Sequence, residues 1–280
     1  HLPHDPRCGG THSVKPAQPT PGTLYLVPTP LDFGCLPEGA HPAPITECLP
    51  AETVAVAARL THWISENAKS TRAFLKRVEA VNGLAAPLQA QAIIELPRQA
   101  HKKGDHTPAA EGDSQAKALL APALLGHDIG LVSEAGMPAI ADPGSSVVRA
   151  AHTLGMPVVP LVGPVSLMLA LAASGLNGQG FAFVGYVPQE STERAKRLRE
   201  LEALALKTGQ TQILIETPYR NTALLQALLQ ILHPHTRLAV SCGLMLPQQV
   251  TRSALANEWK SRSLQQGMPL DAPAVFLIGR

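Results

Sequence analysis

Short apolar runs of four to six residues alternate with longer stretches whose apolar positions recur at helical spacing, and this pattern holds from about residue 22 to the end of the chain. "LYLV", Leu24 to Val27, reads as a buried strand closed by Pro28 and Pro30. "AETVAVAARLTHWI" is made of good helix formers and predicts a helix. "KSTRAFLKRVEAV" predicts a second helix and "AQAIIEL" a strand. "PRQAHKKGDHTPAAEGD" is polar and predicts a loop. "SQAKALLAPALL" predicts a helix that its proline should kink or end early.

From there the alternation is regular. "IGLVS", "PVVPLV", "FAFVGYV", "TQILIE", "RLAVSC" and "APAVFLIG" predict strands. "SSVVRAAHTLG" and "VSLMLALAASG" predict helices closed by Gly155 and Gly175. "ERAKRLRELEALAL" and "YRNTALLQALLQIL" predict two more, and "SALANEW" a short one with Ser253 as N-cap. Strands alternating with helices imply an α/β fold with mostly parallel sheets covered on both faces. "LNGQG", Leu176 to Gly180, is the strongest compositional boundary. It divides the chain into a domain at 22–176 and a domain at 177–280. Residues 1–21, rich in Pro, His and Gly, predict a flexible tail whose histidines do not make a metal site.

Composition narrows the picture without fixing a partner. The chain has 280 residues, 45% hydrophobic, 16% charged and only 4% aromatic, so the core should be aliphatic. A net charge of +2 neither demands nor excludes a nucleic-acid substrate. Cys8, Cys35, Cys48 and Cys242 form no CxxC pair and no zinc-like cluster, which predicts free thiols in a reducing compartment. No apolar run has the length of a membrane span, and no basic-then-apolar leader opens the chain as given. The expectation is a cytoplasmic protein.

The loops after the strands carry the chemistry. Ligands of open α/β sheets bind where strands feed into helices. Five such loops concentrate Gly and Pro: 28–30, 133–145, 162–166, 216–220 and 242–249. Gly admits close backbone approach, and Pro fixes φ and removes a donor. A rigid, carbonyl-rich rim suits a ligand that carries a cation and offers N–H donors. Dinucleotide, P-loop, hydrolase and zinc-protease chemistries lack their residues: no GxGxxG, no GxxxxGK[ST], no GxSxG and no HExxH is present.

"LYLVPTP", "SENAKSTRAFL", "GLVSEAGMPAIADPGSSVVRAAHTLGMPVVPLVGP", "ALAASGL", "FAFVGYVP" and "IETPYRN" together resemble the tetrapyrrole-methylase-fold family, the class III S-adenosylmethionine-dependent methyltransferases. Within it the chain is most similar to the branch of 16S ribosomal-RNA ribose 2′-O-methyltransferases, over roughly residues 22–280. The resemblance implies two α/β domains flanking a cleft that holds S-adenosylmethionine, and a homodimer. It implies that Pro30, Ser133, Glu134, Ala135, Gly136, Met137 and Ile140 serve the cofactor from the first domain, with Val165 and Ser166. Thr217, Gly243, Leu244, Ala272 and Pro273 would serve it from the second.

Departures fall on the substrate side. The branch's Gly-Asn-Leu-x-Asp stretch reads "LDFGCLPEG", and its Ala-Glu-Asp-Thr-Arg reads "SENAKSTR". Glu66 is retained and is the first candidate for a catalytic base. Asn67 stands in the acidic position, and Asn67, Arg72 and Arg220 are the substrate-binding candidates. Glu134 and Asp142 are further acids, Asp142 reading first as a cap of the following helix. "ERAKRLRELE" reads as a solvated helix with internal ion pairs or as an RNA-contacting face. The leading expectation is methyl transfer to an RNA ribose hydroxyl, with ribosomal RNA as partner. A tetrapyrrole or other small-molecule acceptor, and a non-catalytic cofactor- or RNA-binding regulator, stay open beside it.

Overall fold

The computed structural model describes residues 20–32, 36, 38–98, 100 and 104–280. Most of the expected tail, Cys8, Cys35 and part of the polar loop after residue 97 lie outside the described residues. Cys48 and Cys242 are free thiols.

Two five-stranded sheets carry the fold. The first contains β1 (Leu24–Val27), β2 (His62–Ser65), β3 (Ala92–Glu95), β4 (Ile129–Val132) and β5 (Val158–Pro160), in the order β3-β2-β4-β1-β5 with every pairing parallel. Alternation along each strand feeds both faces. Val27, Trp63 and Val132 pack on α1 (Ala51–Arg59) and α2 (Ala68–Asn82), while Leu24, Ile64, Ile129 and Leu131 pack on the opposite side. That second face is covered by α3 (Ala110–Leu119), α4 (Ala121–Leu124) and α5 (Ser145–Thr153). The break at Leu120, with Pro122 at the start of α4, is the early end that the proline predicts.

The second sheet contains β6 (Phe181–Gly185), β7 (Thr211–Ile215), β8 (Arg237–Cys242), β9 (Val250–Leu255) and β10 (Ala274–Gly279), in the order β6-β7-β10-β8-β9. Here only β6 and β7 run parallel. β10 lies antiparallel between β7 and β8, and β9 closes the edge antiparallel to β8. The sheet is therefore mixed, whereas the alternation of elements predicts a mostly parallel one. α7 (Ser191–Thr208), α8 (Asn221–Ile231) and α9 (Ala256–Ser261) cover one face around the fully buried Trp259 and Phe276. α6 (Ser166–Ser174) covers the other through Leu167, Ala170 and Leu171. So α6, which leaves the first sheet in sequence, packs on the second.

Two elements differ from the sequence reading. The helix predicted through "LTHWI" stops at Arg59, and His62–Ser65 forms β2. Trp63 and Ile64 are each 1% exposed on opposite faces, so burial between two parallel neighbours overrides the helix formers before them. Ser253 is not a cap. It lies within β9, pairs with Ala239, and donates its hydroxyl to the carbonyl of Ser174 at 2.6 Å, tying the end of α6 to the sheet edge.

The loops after β1 and β5 are pressed together. A Cβ on Gly163 would lie 2.2 Å from Cγ of Pro28. Gly163→Ala should therefore destabilise the fold by about 1–3 kcal/mol through overpacking. Urea unfolding checks this, and an unchanged midpoint would contradict the contact.

Candidate functional site

The five glycine- and proline-rich loops converge. Between the two sheets lies a cavity of about 390 Å³, within the range of small-molecule sites. From the first sheet it is lined by Leu31 after β1, Glu66 after β2, residues 134–137 and 140–142 after β4, and Val165 and Ser166 after β5. From the second come Tyr186 after β6, Glu216 and Pro218 after β7, and Gly243 and Leu244 after β8. Pro273 joins them from the start of β10. The antiparallel direction of β10 puts its beginning, not its end, at the cleft.

The loop after β4 is held at both ends. At its start Thr29 and Gly136 exchange two backbone hydrogen bonds of 3.1 Å, and Ser133 donates its hydroxyl to the carbonyls of Ala135 and Gly136. Gly136 has φ 73°, and a Cβ there would press on Leu31 and the carbonyl of Pro164 at 3.0 and 3.2 Å. At its end the carboxylate of Asp105 accepts from the backbone N–H groups of Gly144, Ser145 and Ser146. The sequence admits Asp142 as the cap of α5. Asp105 takes that task from a distant loop and leaves Asp142 facing the cavity. Between these anchors Ala139 and Ala141 hold left-handed backbone, φ 64° and 62°. Strain of this kind persists only where the surroundings over-determine it, and it clusters at functional sites.

The second side is fixed by polar contacts. Glu216 accepts from the backbone and hydroxyl of Thr217 and from the guanidinium of Arg220 at 3.2 Å. The fully buried Asn221 donates to the carbonyls of Leu270 and Ala272, which holds the segment leading to Pro273. β6 slips by one residue between Phe183 and Gly185, with Gly185 at φ 73°. Such a bulge re-aims the chain beyond it, and the next residue is Tyr186 at the cavity mouth.

Most of the candidates meet here. Glu66, Glu134, Ala135, Gly136, Met137, Ile140, Val165, Ser166, Gly243, Leu244 and Pro273 all line the cavity. Pro30, Ser133, Thr217 and Ala272 stand behind the lining: Ser133 and Ala272 are buried, and Thr217 holds Glu216 and Arg220. Asn67 caps α2, accepting from the N–H of Ser70 at 3.0 Å. Arg72 is exposed on the outside of that helix, and Arg220 is paired with Glu216. Leu31, Tyr186 and Glu216 line the cavity without being sequence candidates. The rule that strand ends carry ligands, applied to β6 and β7 as well as β4, points to Tyr186 and Glu216.

Four carboxylates, Glu66, Glu134, Asp142 and Glu216, line this cavity, and among its described lining no Lys, Arg or His occurs. Glu66 accepts from the N–H of Glu134 at 3.3 Å, and Glu134 accepts from the Ser70 hydroxyl at 3.4 Å. Burial pushes the Asp142 carboxyl up to about 7, with repulsion from Glu66 and Glu134 adding to it and a hydrogen bond from Ser133 opposing. The Tyr186 phenol is raised by burial and by the charges of Asp142, Glu216 and Glu66, against Arg220. An acid-lined hollow of this kind receives a cation with N–H donors and repels a phosphate.

Residues 68–257 match the family described as Tetrapyrrole (Corrin/Porphyrin) Methylases. The chain belongs to this family. Among curated relatives, the "Ribosomal RNA small subunit methyltransferase I" of Xylella fastidiosa is 33% identical over 184 residues, 65% of this chain and 55% of the relative. The protein of the same name from Micromonospora olivasterospora is 30% identical over 226 residues, 81% of this chain and 60% of the relative. That of Vibrio cholerae is 40% identical over 118 residues, 42% and 40% of the two chains. The chain thus spans between 40% and 60% of the length of these relatives. Among solved structures, uroporphyrin-III-C-methyltransferase from Thermus thermophilus has a TM-score of 0.50 at 19% identity, covering 92% of this chain and 94% of its own. A putative cobalamin synthesis related protein from Corynebacterium diphtheriae has 0.52 at 13%, covering 93% and 99%. These two share the methylase fold with the present chain.

The raised Asp142 bears on the stability of the fold. Between its ordinary value of 3.8 and about 7, the folded chain keeps a proton that the unfolded chain releases. Stability contributed by this group is therefore present below pH 4 and lost as pH rises through 7. Asp142→Asn should leave stability near its wild-type value at pH 4 and exceed wild type at pH 8, by at most about 4 kcal/mol. Thermal melts across that range check it, and an equal difference at both ends would contradict it.

Proposed function

We propose that this methylase transfers the methyl group of S-adenosylmethionine to a ribose hydroxyl of small-subunit ribosomal RNA. The observation that carries the proposal is the cavity itself: loops from both sheets build one acid-lined hollow of the right class of size. The cofactor carries a sulfonium and an ammonium, and its adenine offers N–H donors. Glu66, Glu134, Asp142 and Glu216 complement those charges, and Gly136 and Gly243 hold left-handed backbone, φ 73° and 62°, where their loops line the cavity. The names of the curated relatives support the RNA acceptor.

When bound, S-adenosylmethionine supplies a methyl group already activated by its sulfonium. The chain supplies alignment and a proton acceptor. Val165, Leu244 and the 135–137 backbone form walls that would position the donor and exclude water, and positioning of this kind can contribute several kcal/mol. Glu66 and Asp142 are the bases: Glu66 is oriented by the Glu134 N–H, and Asp142 titrates close to neutrality, where a general base works best. With the cofactor bound, this pair would take the proton of the acceptor hydroxyl. Arg72, Arg220 and Asn67, at the start of α2, contact the RNA. Residues 22–176 and 177–280 serve as the two domains, in the cytoplasm. Among the described residues no helix is long and apolar enough to cross a membrane. Exposed Val162, Met168, Leu169, Phe181 and Phe183 provide apolar surface for a homodimer.

Methyl transfer from labelled cofactor to small-subunit RNA, followed by nucleoside mass spectrometry, tests the proposal. A 2′-O-methylated nucleoside should form, and Glu66→Ala should lower kcat by about 10²–10⁴. Label appearing only in small metabolites, or unchanged turnover by Glu66→Ala, would overturn the acceptor or the base respectively.

A further inference from the structure

α2 begins at the mouth of the cavity, immediately after the lining residue Glu66 and its cap Asn67, and runs away from it. At about 100° per residue, Lys69, Arg72 and Lys76 fall within a sector of about 60° on this helix. All three are exposed; the small Ala73 and Ala80 border their sector on one side and Glu79 on the other. None of the three makes an ion pair with a described residue. Several other cations of the chain are taken up by acids. Arg77, one position on, is taken up by Asp32 at 2.9 Å, and Arg59, Arg149, Arg220 and Arg262 each face a carboxylate. On α7, the densest basic run, Arg197 pairs with Glu200 and the Glu190 cap lies beside Arg194. The cations of α7 are interleaved with acids. Along α2 the stripe meets a single acid, Glu79 three residues past Lys76, and no ion pair joins it to the three cations.

We infer that the outer face of α2 is the track for the phosphodiester backbone of the RNA strand whose ribose enters the cavity, with Lys69, Arg72 and Lys76 as its phosphate contacts. This rests on the RNA-methyltransferase reading above. From Lys69 to Lys76 the stripe is about 10 Å long, close to three nucleotides at about 3.4 Å each. The division of charge matters as much as the stripe. The acids of the cavity repel phosphate and accept a nucleoside and a cationic donor. The cations outside attract phosphate, so a strand is drawn to the rim while its backbone stays out of the hollow. Phosphate contacts of this sort fix register and orientation without reading sequence.

The test is binding of a fluorescently labelled single-stranded oligoribonucleotide of small-subunit sequence, by anisotropy over a series of salt concentrations. Wild type, the triple variant Lys69→Gln/Arg72→Gln/Lys76→Gln, and a control Lys196→Gln/Arg199→Gln on α7 are compared. Removing one phosphate contact lowers the slope of log K against log salt by about 0.7 for a single strand, so the triple variant's slope should fall by about 2 and the control's by close to none. Affinity for S-adenosylmethionine should be the same in all three, which shows that the variants are folded. If wild type binds RNA and the triple variant keeps its slope, the track is overturned and the RNA reading stands. If the control's slope falls as much as that of the triple variant, the basic face is α7. If wild type binds no RNA but sediments with anionic phospholipid vesicles through these residues, the RNA reading falls with the track.

Discussion

Everything at the site depends on where α6 is buried. Leu167, Ala170 and Leu171 pack against Ile213, Ala239, Val275 and Leu277 of the second sheet, although the chain reaches α6 directly from β5 of the first. Each fully buried leucine contributes roughly 1.5–3 kcal/mol, and Ala170 at 0% exposure lets helix and sheet approach closely. The turn into α6, Val165 and Ser166, is thereby held between the sheets. One helix shared in this way brings the strand-end loops of both sheets to one hollow, and the hydroxyl of Ser253 fastens its far end.

The hollow concentrates a kind of charge that folding disfavours. Burial pushes the Asp142 carboxyl up to about 7, and Glu66 and Glu134, on neighbouring loops of the first sheet, add to it by repulsion. Like charges gathered in a half-buried space are destabilising unless a counter-charge arrives. A bound cation would supply it, so on the proposed reading the buried acid Asp142 and its neighbour Glu134 favour a positively charged donor. The rigid loops matter for the same reason. Asp105 and the Thr29–Gly136 bridge fix the segment between β4 and α5, so the acids cannot relax away from one another.

Much of this is legible in the residues. The strands β1, β4, β8 and β10 and both glycine-closed helices follow from periodicity and caps, because their burial is one-sided or complete and their ends carry Gly or Pro. "SEAGMPAIADPG" and "VGPVS" announce unusual backbone at strand ends, and the family resemblance supplies the individual cofactor candidates, most of which line the cavity. Other features are set by distant contacts. β2 is a strand because Trp63 and Ile64 are buried between parallel neighbours. β9 is a strand because β8 needs an edge partner, which "SALANEW" does not reveal. The direction of β10, and so the presence of Pro273 at the site, cannot be read from an apolar run. The capping of α5 by Asp105 joins residues some forty positions apart, and it frees Asp142 for a role that its sequence neighbours do not suggest.

Calorimetric titration of S-adenosylmethionine into wild type and into Glu134→Gln/Asp142→Asn at pH 8 tests the central claim most directly, with the uncharged thioether S-adenosylhomocysteine as comparison. A seat built for a cation predicts binding by wild type, at least tenfold weaker binding of the sulfonium by the double variant, and a smaller loss for the thioether. No binding of S-adenosylmethionine by wild type at ~1 mM, the weak-affinity limit, or equal affinities for wild type and variant, would contradict it.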